Sequence, residues 1–262
     1  MLRSMYSGIS GLKNFQTKLD VIGNNITNVN TNGFKKGRVT FQDAMSQTVT
    51  GASGATTQKG GTNAIQIGLG SSLASIDHID TQGSAQTTNR TLDFSIEGDG
   101  YFVVKNGEES LYTRAGNFYL DQSGVLVTSE GFKVQGTTGD IKIPSKLVSF
   151  SIGQGGEITG VDENGTQNKI ATIAVAKFSN PAGLTKAGNN IFQESVNSGT
   201  AQSGTADTGG RGKLISGRLE MSNVDLSEEF TEMIVAQRGF QANTRIITTS
   251  DEILQELVNL KR

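Results

Sequence analysis

The sequence contains no cysteine, no tryptophan, one histidine and only two prolines among its 262 residues. Without cysteine the chain can form neither disulfides nor thiolate metal sites. The single histidine, His78, leaves little for general-base chemistry, and no nucleophile elbow, zinc-protease motif or phosphate-binding loop is present. We therefore expect no enzymatic activity, no cofactor and no metal site.

The chain also has little charge and no long apolar run. Charged residues make up 18% of it, below the roughly 25% usual for soluble domains, and the net charge is −2. Because its basic residues are scattered, we expect no nucleic-acid partner. No stretch approaches the ~18 apolar residues of a membrane span, so none is expected. Ser and Gly interrupt the N-terminal apolar residues, which predicts that any export proceeds without a cleavable signal peptide.

Apolar residues at both ends of the chain recur at helical spacing. Near the N-terminus they follow one another in steps of three and four, and near the C-terminus they fall seven apart, which predicts two amphipathic helices. Asp225, with Glu228 three residues later, is a candidate start for the second helix. Both faces need a partner. The apolar positions on these faces include Leu12, Leu19, Ile26, Met233, Phe240, Ile247 and Leu254.

The middle of the chain has a different pattern. From about residue 65, short apolar runs alternate with turn signals such as Asn106-Gly107 and Ser123-Gly124, which is typical of a β-meander. Residues 46–63 and 195–213 are rich in Gly, Ser and Thr without periodicity, and they read as linkers or extended arms.

These patterns predict an α+β fold in which terminal coiled-coil-like helices bracket a mainly-β central domain. The predicted segments are an N-terminal helix (1–30), a linker or extended arm (31–68), a β-rich central domain (69–195), a second linker (196–222) and a C-terminal helix (223–262). A closed domain with both helices packed on the β body is the simpler alternative.

Weaker motifs favour ordinary structural roles. His78 has no second ligand-type cluster spaced for zinc, which favours a surface residue. Residues 162–165 lack the alternating acidic ligands of a calcium loop, so a turn is favoured. A glycosidase needs only two carboxylates and stays formally open, as does a secreted adhesin or binding module. An adhesin predicts a soluble monomer with a ligand, and a glycosidase predicts turnover that is lost when one carboxylate is removed.

Several long motifs resemble those of the bacterial flagellar rod and hook axial proteins. The stretch LDVIGNNITNVNTNGFKK (19–36) resembles the N-terminal signature of that family, with Thr27 where alanine is usual. Residues 222–262 resemble its C-terminal helix, and IEGDGYFVV (96–104) with YTRAGNFYLDQSGVLVT (112–128) resembles its central domain. The resemblance covers essentially the whole chain.

The resemblance implies a structural subunit that is exported unfolded by the flagellar type III apparatus and self-assembles into a helical tube. The terminal helices at 1–30 and 223–262 would form the inner-tube domain. The residues expected to pack there and so to mediate self-assembly are Leu12, Leu19, Ile26, Met233, Phe240, Ile247 and Leu254. MIVAQRGFQ (233–241) and LVNLKR (257–262) are most similar to the hook, the flexible universal joint for motility, so we expect a hook subunit. Residues 46–70 resemble a stretch of distal rod proteins, which makes a distal rod protein of the basal body the alternative.

The resemblance also implies partners and a location. The expected partners are copies of the same chain, other axial proteins (rod, hook cap and hook–filament junction) and the export apparatus. The expected location is extracellular, in the flagellar hook or basal body. Asn24, Asn25 and Gly33 are expected to set the exit of the first helix.

Overall fold

A computed structural model describes residues 2–56, 59–144, 147–162 and 165–260. The chain forms two compact units. The helical unit comprises Met1–Thr27, Gly37–Asp77 and Asp225–Arg262, and the β unit comprises Asn28–Lys36 and His78–Val224. The predicted fold class is confirmed, since a helix lies near each end of the chain and the middle is mostly β-strand. The five-segment division made from the sequence stays a prediction.

The helical unit contains two long helices and four strands. The first helix begins and ends close to where the sequence predicts. At the start of the second, Oδ1 of Asp225 accepts hydrogen bonds from the backbone N–H groups of Ser227 at 2.8 Å and Glu228 at 3.4 Å, which confirms the predicted N-cap. The elements are α1 (Leu2–Thr27), β1 (Gly37–Asp43), β2 (Ser46–Thr50), β3 (Ile65–Gly68), β4 (Ser71–His78) and α2 (Leu226–Leu260).

Helix α2 continues without a break through four β-branched residues at 246–249. β-Branched side chains lower helix propensity, and threonine hydroxyls can compete for the backbone. Here the hydroxyls of Thr248, Thr249 and Ser250 donate to carbonyl groups one turn back along the helix. The polar groups are thus satisfied inside the helix, and its continuity depends on packing against α1.

Part of the predicted first linker forms a β-hairpin. Strands β2 and β3 pair antiparallel, with Ser46 opposite Gly68 and Thr50 opposite Ile65, and a further bridge joins Ser53 to Thr62. Thr57 and Gln58 lie outside the described residues. Pairing depends on backbone hydrogen bonds, so a Gly- and Thr-rich stretch can form a ladder without apolar periodicity. Strands β1 and β4 form a second two-stranded sheet.

The β unit is organised around a ten-stranded sheet whose main path runs, in order, through the strands at residues 185–188, 191–193, 109–113, 101–106, 133–136, 126–127 and 119–120. The predicted turn at Asn106-Gly107 joins two of its central strands, with Asn106 opposite Glu109. The strands of this unit are β5 (Ala85–Thr87), β6 (Phe94–Glu97), β7 (Tyr101–Asn106), β8 (Glu109–Thr113), β9 (Tyr119–Leu120), β10 (Leu126–Val127), β11 (Lys133–Gly136), β12 (Gly139–Asp140), β13 (Leu147–Ile152), β14 (Glu157–Asp162), β15 (Gln167–Thr172), β16 (Ala174–Lys177), β17 (Thr185–Gly188), β18 (Ile191–Gln193), β19 (Gln202–Thr205), β20 (Lys213–Ser216) and β21 (Arg218–Glu220), with a 3₁₀ turn at Pro181–Gly183.

The core of the β unit centres on three fully buried phenylalanines. The rings of Phe102 and Phe118 meet edge to face with centroids 5.1 Å apart, and Phe94 packs against both. Edge-to-face pairs of this kind add to the stabilisation from burial. The core closes late in the sequence, because β20 pairs with β6 and places Leu214 in the same cluster.

The second predicted linker is more structured than its composition suggests. Within residues 195–213, strand β19 pairs with β16, and Nε of Arg211 donates to the Thr205 carbonyl at 2.9 Å. An edge strand needs backbone partners but few apolar side chains. The composition of this segment therefore gave no signal for strand β19. The turn expected at 162–165 includes Glu163 and Asn164, which lie outside the described residues.

Candidate self-assembly site

Helices α1 and α2 pack closely because small residues face bulkier ones across their contact. A Cβ atom at Gly11 would lie 2.8 Å from Nδ2 of Asn243, and one at Gly239 would lie 2.5 Å from the ring of Phe15. Real Cβ atoms do not approach neighbours so closely, so a larger residue at either glycine would force the helices or the facing side chain to move. Glycine at these positions therefore allows the short distance between the helices.

The most buried residues of α2 form a heptad row that is small or polar rather than apolar. Glu229, Ala236 and Ser250 are 6%, 0% and 8% exposed, and Asn243 completes the row at the same seven-residue spacing. Sequence reasoning missed this row because it searched for apolar heptads. The available signal was the repeat of small or polar side chains four residues before each predicted apolar position at 233, 240, 247 and 254.

Asn25 joins three parts of the helical unit. Its Nδ2 donates to the Gly37 carbonyl at 2.9 Å and to Oε2 of Glu229 at 3.2 Å, while the Gly37 N–H donates to its Oδ1 at 2.8 Å. The Asn25 side chain is almost completely buried. A buried amide that satisfies three groups fixes the position of the start of β1 relative to both helices.

Two further polar contacts lie along the same helix. Nδ2 of Asn14 donates to Oγ of Ser71 at 2.8 Å, which ties α1 to the start of β4. Lys18 of α1 forms an ion pair with Glu232 of α2. The helix contact is therefore specified by polar groups along its length, and such groups favour one register over others.

The residues predicted to mediate assembly lie beside this buried row. Ile247 packs over Gly8, since a Cβ there would lie 3.4 Å from its Cγ1. Phe240 remains 36% exposed. The other predicted assembly residues are partly buried, and they are Leu12, Leu19, Ile26, Met233 and Leu254. Their role in assembly stays a prediction.

The three predicted helix-exit residues have different environments. Asn24 is exposed in the last turn of α1, whereas Asn25 is buried as described above. Gly33 belongs to the β unit, where it adopts φ = 70° and a Cβ would lie 2.7 Å from the backbone of Arg114. The left-handed conformation and the tight backbone contact both demand glycine there. Their role in setting the helix exit stays a prediction.

Helix α2 also carries an apolar row that the single chain does not cover. Val235, Ile246, Ile253 and Leu257 are between 44% and 54% exposed. Their spacings of 11, 7 and 4 residues place them on one side of the helix. We call this set the exposed apolar row. An exposed apolar row on a long helix is typical of a protein–protein contact surface.

In the β unit, a separate cluster of three charged side chains lies almost completely buried. Nζ of Lys35 lies 2.7 Å from Oε1 of Glu220, and Nε of Arg114 lies 2.5 Å from Oε2 of the same carboxylate. The Arg114 guanidinium also donates to the carbonyls of Gly98 and Ile96 at 2.6 and 3.1 Å, and to that of Gly100. We call Lys35, Arg114 and Glu220 the Glu220 cluster.

The electrostatics of the Glu220 cluster follow from its two cations and one anion. Burial raises the pKa of Glu220, but the charges of Arg114 and Lys35 outweigh that effect and the net shift is downward. Burial lowers the pKa of Lys35, and the attraction of Glu220 only partly opposes this because Arg114 repels it. Sequence reasoning missed the cluster, whose members lie far apart in the chain.

Neither a metal site nor a membrane span stands out in the described parts of the chain. Residues 2–56, 59–144, 147–162 and 165–260 contain no group of three or more potential ligands placed to hold a metal ion. None of the helices over those residues is apolar enough along its length to cross a membrane.

His78, expected at the surface, is instead largely buried, with Nε2 3.0 Å from the Pro181 carbonyl and 3.6 Å from Oδ2 of Asp80.

Comparison with known families and proteins agrees with this arrangement. Three family descriptions match the chain: "Flagella basal body rod protein" at residues 5–35, "Flagellar hook protein FlgE/F/G D1 domain" at 95–160, and "Flagellar basal body rod FlgEFG protein C-terminal" at 215–260. The first and third cover the two helices of the helical unit, and the second covers central strands of the β unit.

Individual relatives match over their full length. The chain is 61% identical to the flagellar basal-body rod protein FlgG of Bacillus subtilis over 264 positions, and 38% identical to that of Borreliella burgdorferi over 271, with both chains covered completely in each case. It is 32% identical to the flagellar hook protein FlgE of Borreliella burgdorferi over 441 positions, again with both chains covered completely. The chain belongs to the family of bacterial flagellar rod and hook axial proteins, which are structural components of the flagellum.

Proposed function

We propose that this chain is a distal rod subunit of the flagellar basal body. This assignment replaces the hook subunit that the C-terminal motifs favour. It adopts the alternative, a distal rod protein, that residues 46–70 suggest. The observation that carries the proposal is the 61% identity to a basal-body rod protein over the whole of both chains. The alignment runs from end to end, so it includes the β unit as well as the terminal helices.

The hook relatives support the same conclusion by their length. The alignment with the hook protein of Borreliella burgdorferi spans 441 positions against the 262 residues of this chain, so much of that protein has no counterpart here. The terminal motifs that suggested a hook subunit do not discriminate, because the family description that matches residues 215–260 covers the FlgE, FlgF and FlgG proteins together. Terminal helices that pack in the same way in hook and rod proteins would have similar sequences.

The helical unit supplies the surfaces that polymerisation requires. The α1–α2 contact is specified by small and polar residues, and it leaves the exposed apolar row on α2 uncovered in the single chain. Copies that stack along a tube would cover that row and remove it from water, at roughly 25 cal/mol for each Å² of apolar surface. Assembly and ordering of the helices would then stabilise each other.

The proposal includes the partners of the subunit. These are further copies of the chain, neighbouring rod and hook subunits, and the type III export apparatus that delivers it without a cleavable signal peptide. The hook cap and the hook–filament junction, expected for a hook subunit, are not adjacent to a distal rod subunit under this assignment. The corresponding location is the distal part of the rod in the basal body, next to the hook.

Complementation in Bacillus subtilis tests the proposal. The gene is expressed in one strain that lacks its basal-body rod protein FlgG and in another that lacks its hook protein. We expect isolated basal bodies from the first strain to regain a complete rod, and swimming to return, while the second strain stays immotile without hooks. Rescue of the hook-deficient strain alone would refute the rod assignment. A Phe102→Asp variant, which disrupts the β core, serves as the negative control.

A further inference from the structure

Three chain segments of the β unit meet at the Glu220 cluster. We call them the N-flank (residues 28–36), the middle segment (79–84) and the C-flank (218–224). Each supplies part of the contact: Lys35 comes from the N-flank and Glu220 from the C-flank, and the carbonyl of Thr81 in the middle segment accepts from Nζ of Lys35 at 2.8 Å. The N-flank and C-flank are the parts of the β unit that lead towards α1 and α2.

Backbone hydrogen bonds join the same three segments. The Gly33 N–H donates to the Glu220 carbonyl at 2.8 Å, the Ile79 N–H donates to the Lys36 carbonyl at 2.9 Å, and the Met221 N–H donates to the Ser84 carbonyl at 2.8 Å. The Gly83 N–H donates to Oε1 of Glu220 at 3.0 Å. No segment can leave without breaking bonds to the other two.

The side chain of Asn223 adds a second connection across the segments. Its Oδ1 accepts from the Lys36 N–H at 2.8 Å, and its Nδ2 donates to the Ile79 carbonyl at 2.8 Å. It also donates to the carbonyl and hydroxyl of Thr81 at 3.2 and 3.0 Å. One amide side chain of the C-flank thus contacts both other segments.

Charge couples the N-flank to the C-flank, and hydrogen bonds couple them in the other direction, because loss of the N-flank removes the Gly33 and Lys36 N–H donors that hold the C-flank. If the C-flank left, the carboxylate of Glu220 would go with it, and Lys35 and Arg114 would remain buried with like charges and without the carboxylate that pairs with both. The carboxylate of Asp80 attracts Lys35 more weakly than Glu220 does. An uncompensated buried charge is strongly destabilising, so Lys35 would have to leave for water as well. Arg114 would keep its hydrogen bonds to the carbonyl groups of Ile96 and Gly98, which lie outside both flanks, so its charge would be better satisfied than that of Lys35. Loss of the C-flank therefore forces loss of the N-flank.

We propose that the Glu220 cluster is a conformational lock that makes the two flanks of the β unit dock and undock as one cooperative step. The core of Phe94, Phe102 and Phe118 holds the central strands together independently of this step. The lock means that a subunit has both flanks in place or neither, so no copy presents one docked flank alone. The inference concerns the β unit itself and does not depend on whether the subunit belongs to rod or hook.

Hydrogen exchange of the full-length chain, read by mass spectrometry, tests the lock. In the Glu220→Gln variant we expect exchange in the N-flank, the middle segment and the C-flank to rise together by on the order of 100-fold or more. Strands β7 and β8 should keep their protection. The matched control is Glu157→Gln, which removes an acid from an exposed ion pair with Lys169 and should leave all three segments unchanged.

A second measurement uses the unaltered chain, in case the variant does not fold. Native-state exchange at increasing sub-denaturing urea should give one opening free energy shared by the three segments and below that of β7 and β8. Exchange confined to the C-flank in Glu220→Gln, with the N-flank still protected, would overturn the proposal. Distinct opening energies for the two flanks in the unaltered chain would overturn it equally.

Discussion

Nδ2 of Asn25 in α1 donates to Oε2 of Glu229 in α2 at 3.2 Å, and both side chains are almost completely buried. The contact joins the end of the first helix to the beginning of the second, two positions separated by almost the whole sequence. Because the same amide also pairs with both polar groups of the Gly37 backbone, it determines which way the helices meet.

The Asn25→Asp substitution tests the contact with Glu229, because asparagine and aspartate side chains have nearly the same shape. The new carboxylate cannot donate to the Gly37 carbonyl, and it repels Glu229, so we expect the assembled helices to lose roughly 1–3 kcal/mol of stability. Urea denaturation of polymers, followed by helical circular dichroism, measures the loss. Glu229→Gln in the same chain should recover part of it, since a glutamine amide can donate to Asp at position 25. Strictly additive losses would show that the two side chains do not interact.

Two glycines provide a matched pair for the close helix contact. A Cβ atom at Gly239 would lie 2.5 Å from the Phe15 ring, whereas one at Gly23 would meet nothing within 4 Å. We expect Gly239→Ala to raise the critical concentration for polymerisation because the ring must move. Gly23→Ala should lower it, since alanine favours the helix by roughly 0.5–1 kcal/mol. Equal effects in a sedimentation assay would contradict the close contact.

The exposed apolar row should mediate contacts between copies. Ile253 is 44% exposed on α2, and Ile253→Asp would place a charge where a neighbouring copy has to exclude water. We expect polymerisation to stop while thermal melting of the β unit is unchanged. Ile253→Leu, which keeps the apolar character, should still polymerise. Normal polymerisation of the aspartate variant would remove this row from the assembly surface.

Phe240→Asp and Ile247→Asp should also block polymerisation without unfolding the β unit. The two differ in mechanism, because Ile247 packs over Gly8 inside the chain and Phe240 is more exposed. We therefore expect Ile247→Asp to weaken the helix pair as well. A large fall in the melting temperature of the β unit in either variant would instead support a closed domain with both helices packed on the β body.

The Glu220 cluster should give the β unit a specific acid sensitivity. The pKa of Glu220 is lowered in the folded state, so its ionised form adds stability above about pH 4 that is lost as pH falls through the folded pKa. At pH 7 we expect Glu220→Gln to cost about 3–5 kcal/mol, and the difference from the unaltered chain to shrink below pH 4. Urea denaturation followed by far-ultraviolet circular dichroism checks both expectations. A difference that stays constant with pH would contradict the assignment.

The sequence predicts the helices well because their periodicity is local. The start at Asp225 and the end of α1 follow from residues within one helical turn of each boundary. The β-strands follow from turn signals such as Asn106-Gly107. Local patterns are enough to identify elements of this kind.

Contacts between distant residues could not be predicted in the same way. Lys35, Arg114 and Glu220 look like ordinary surface charges in the sequence, and contacts between distant parts of the chain bring them near one another. The buried row of α2 was not predicted, because small and polar residues are not by themselves a sequence signal for a buried position. The β2–β3 hairpin escaped because its ladder is made by the backbone.

The hairpin bears on whether the assembled tube bends. Met45, just before β2, is 82% exposed, and Val49 and Ile65 are each 59% exposed. Apolar side chains on a hairpin that the single chain leaves uncovered are suited to contact a neighbouring subunit and to restrain sliding between copies. This is the opposite of the slack linker that would leave a tube free to bend.

Electron microscopy of polymers grown from the purified chain tests the rod assignment most directly. Images of native polymers and of a variant that lacks residues 48–63, recorded under the same conditions, give the curvature of each. The account predicts straight native tubes that become curved when the hairpin is deleted. Curved native tubes, with the hairpin intact, would contradict the rod assignment and restore the hook subunit that the terminal motifs first suggested.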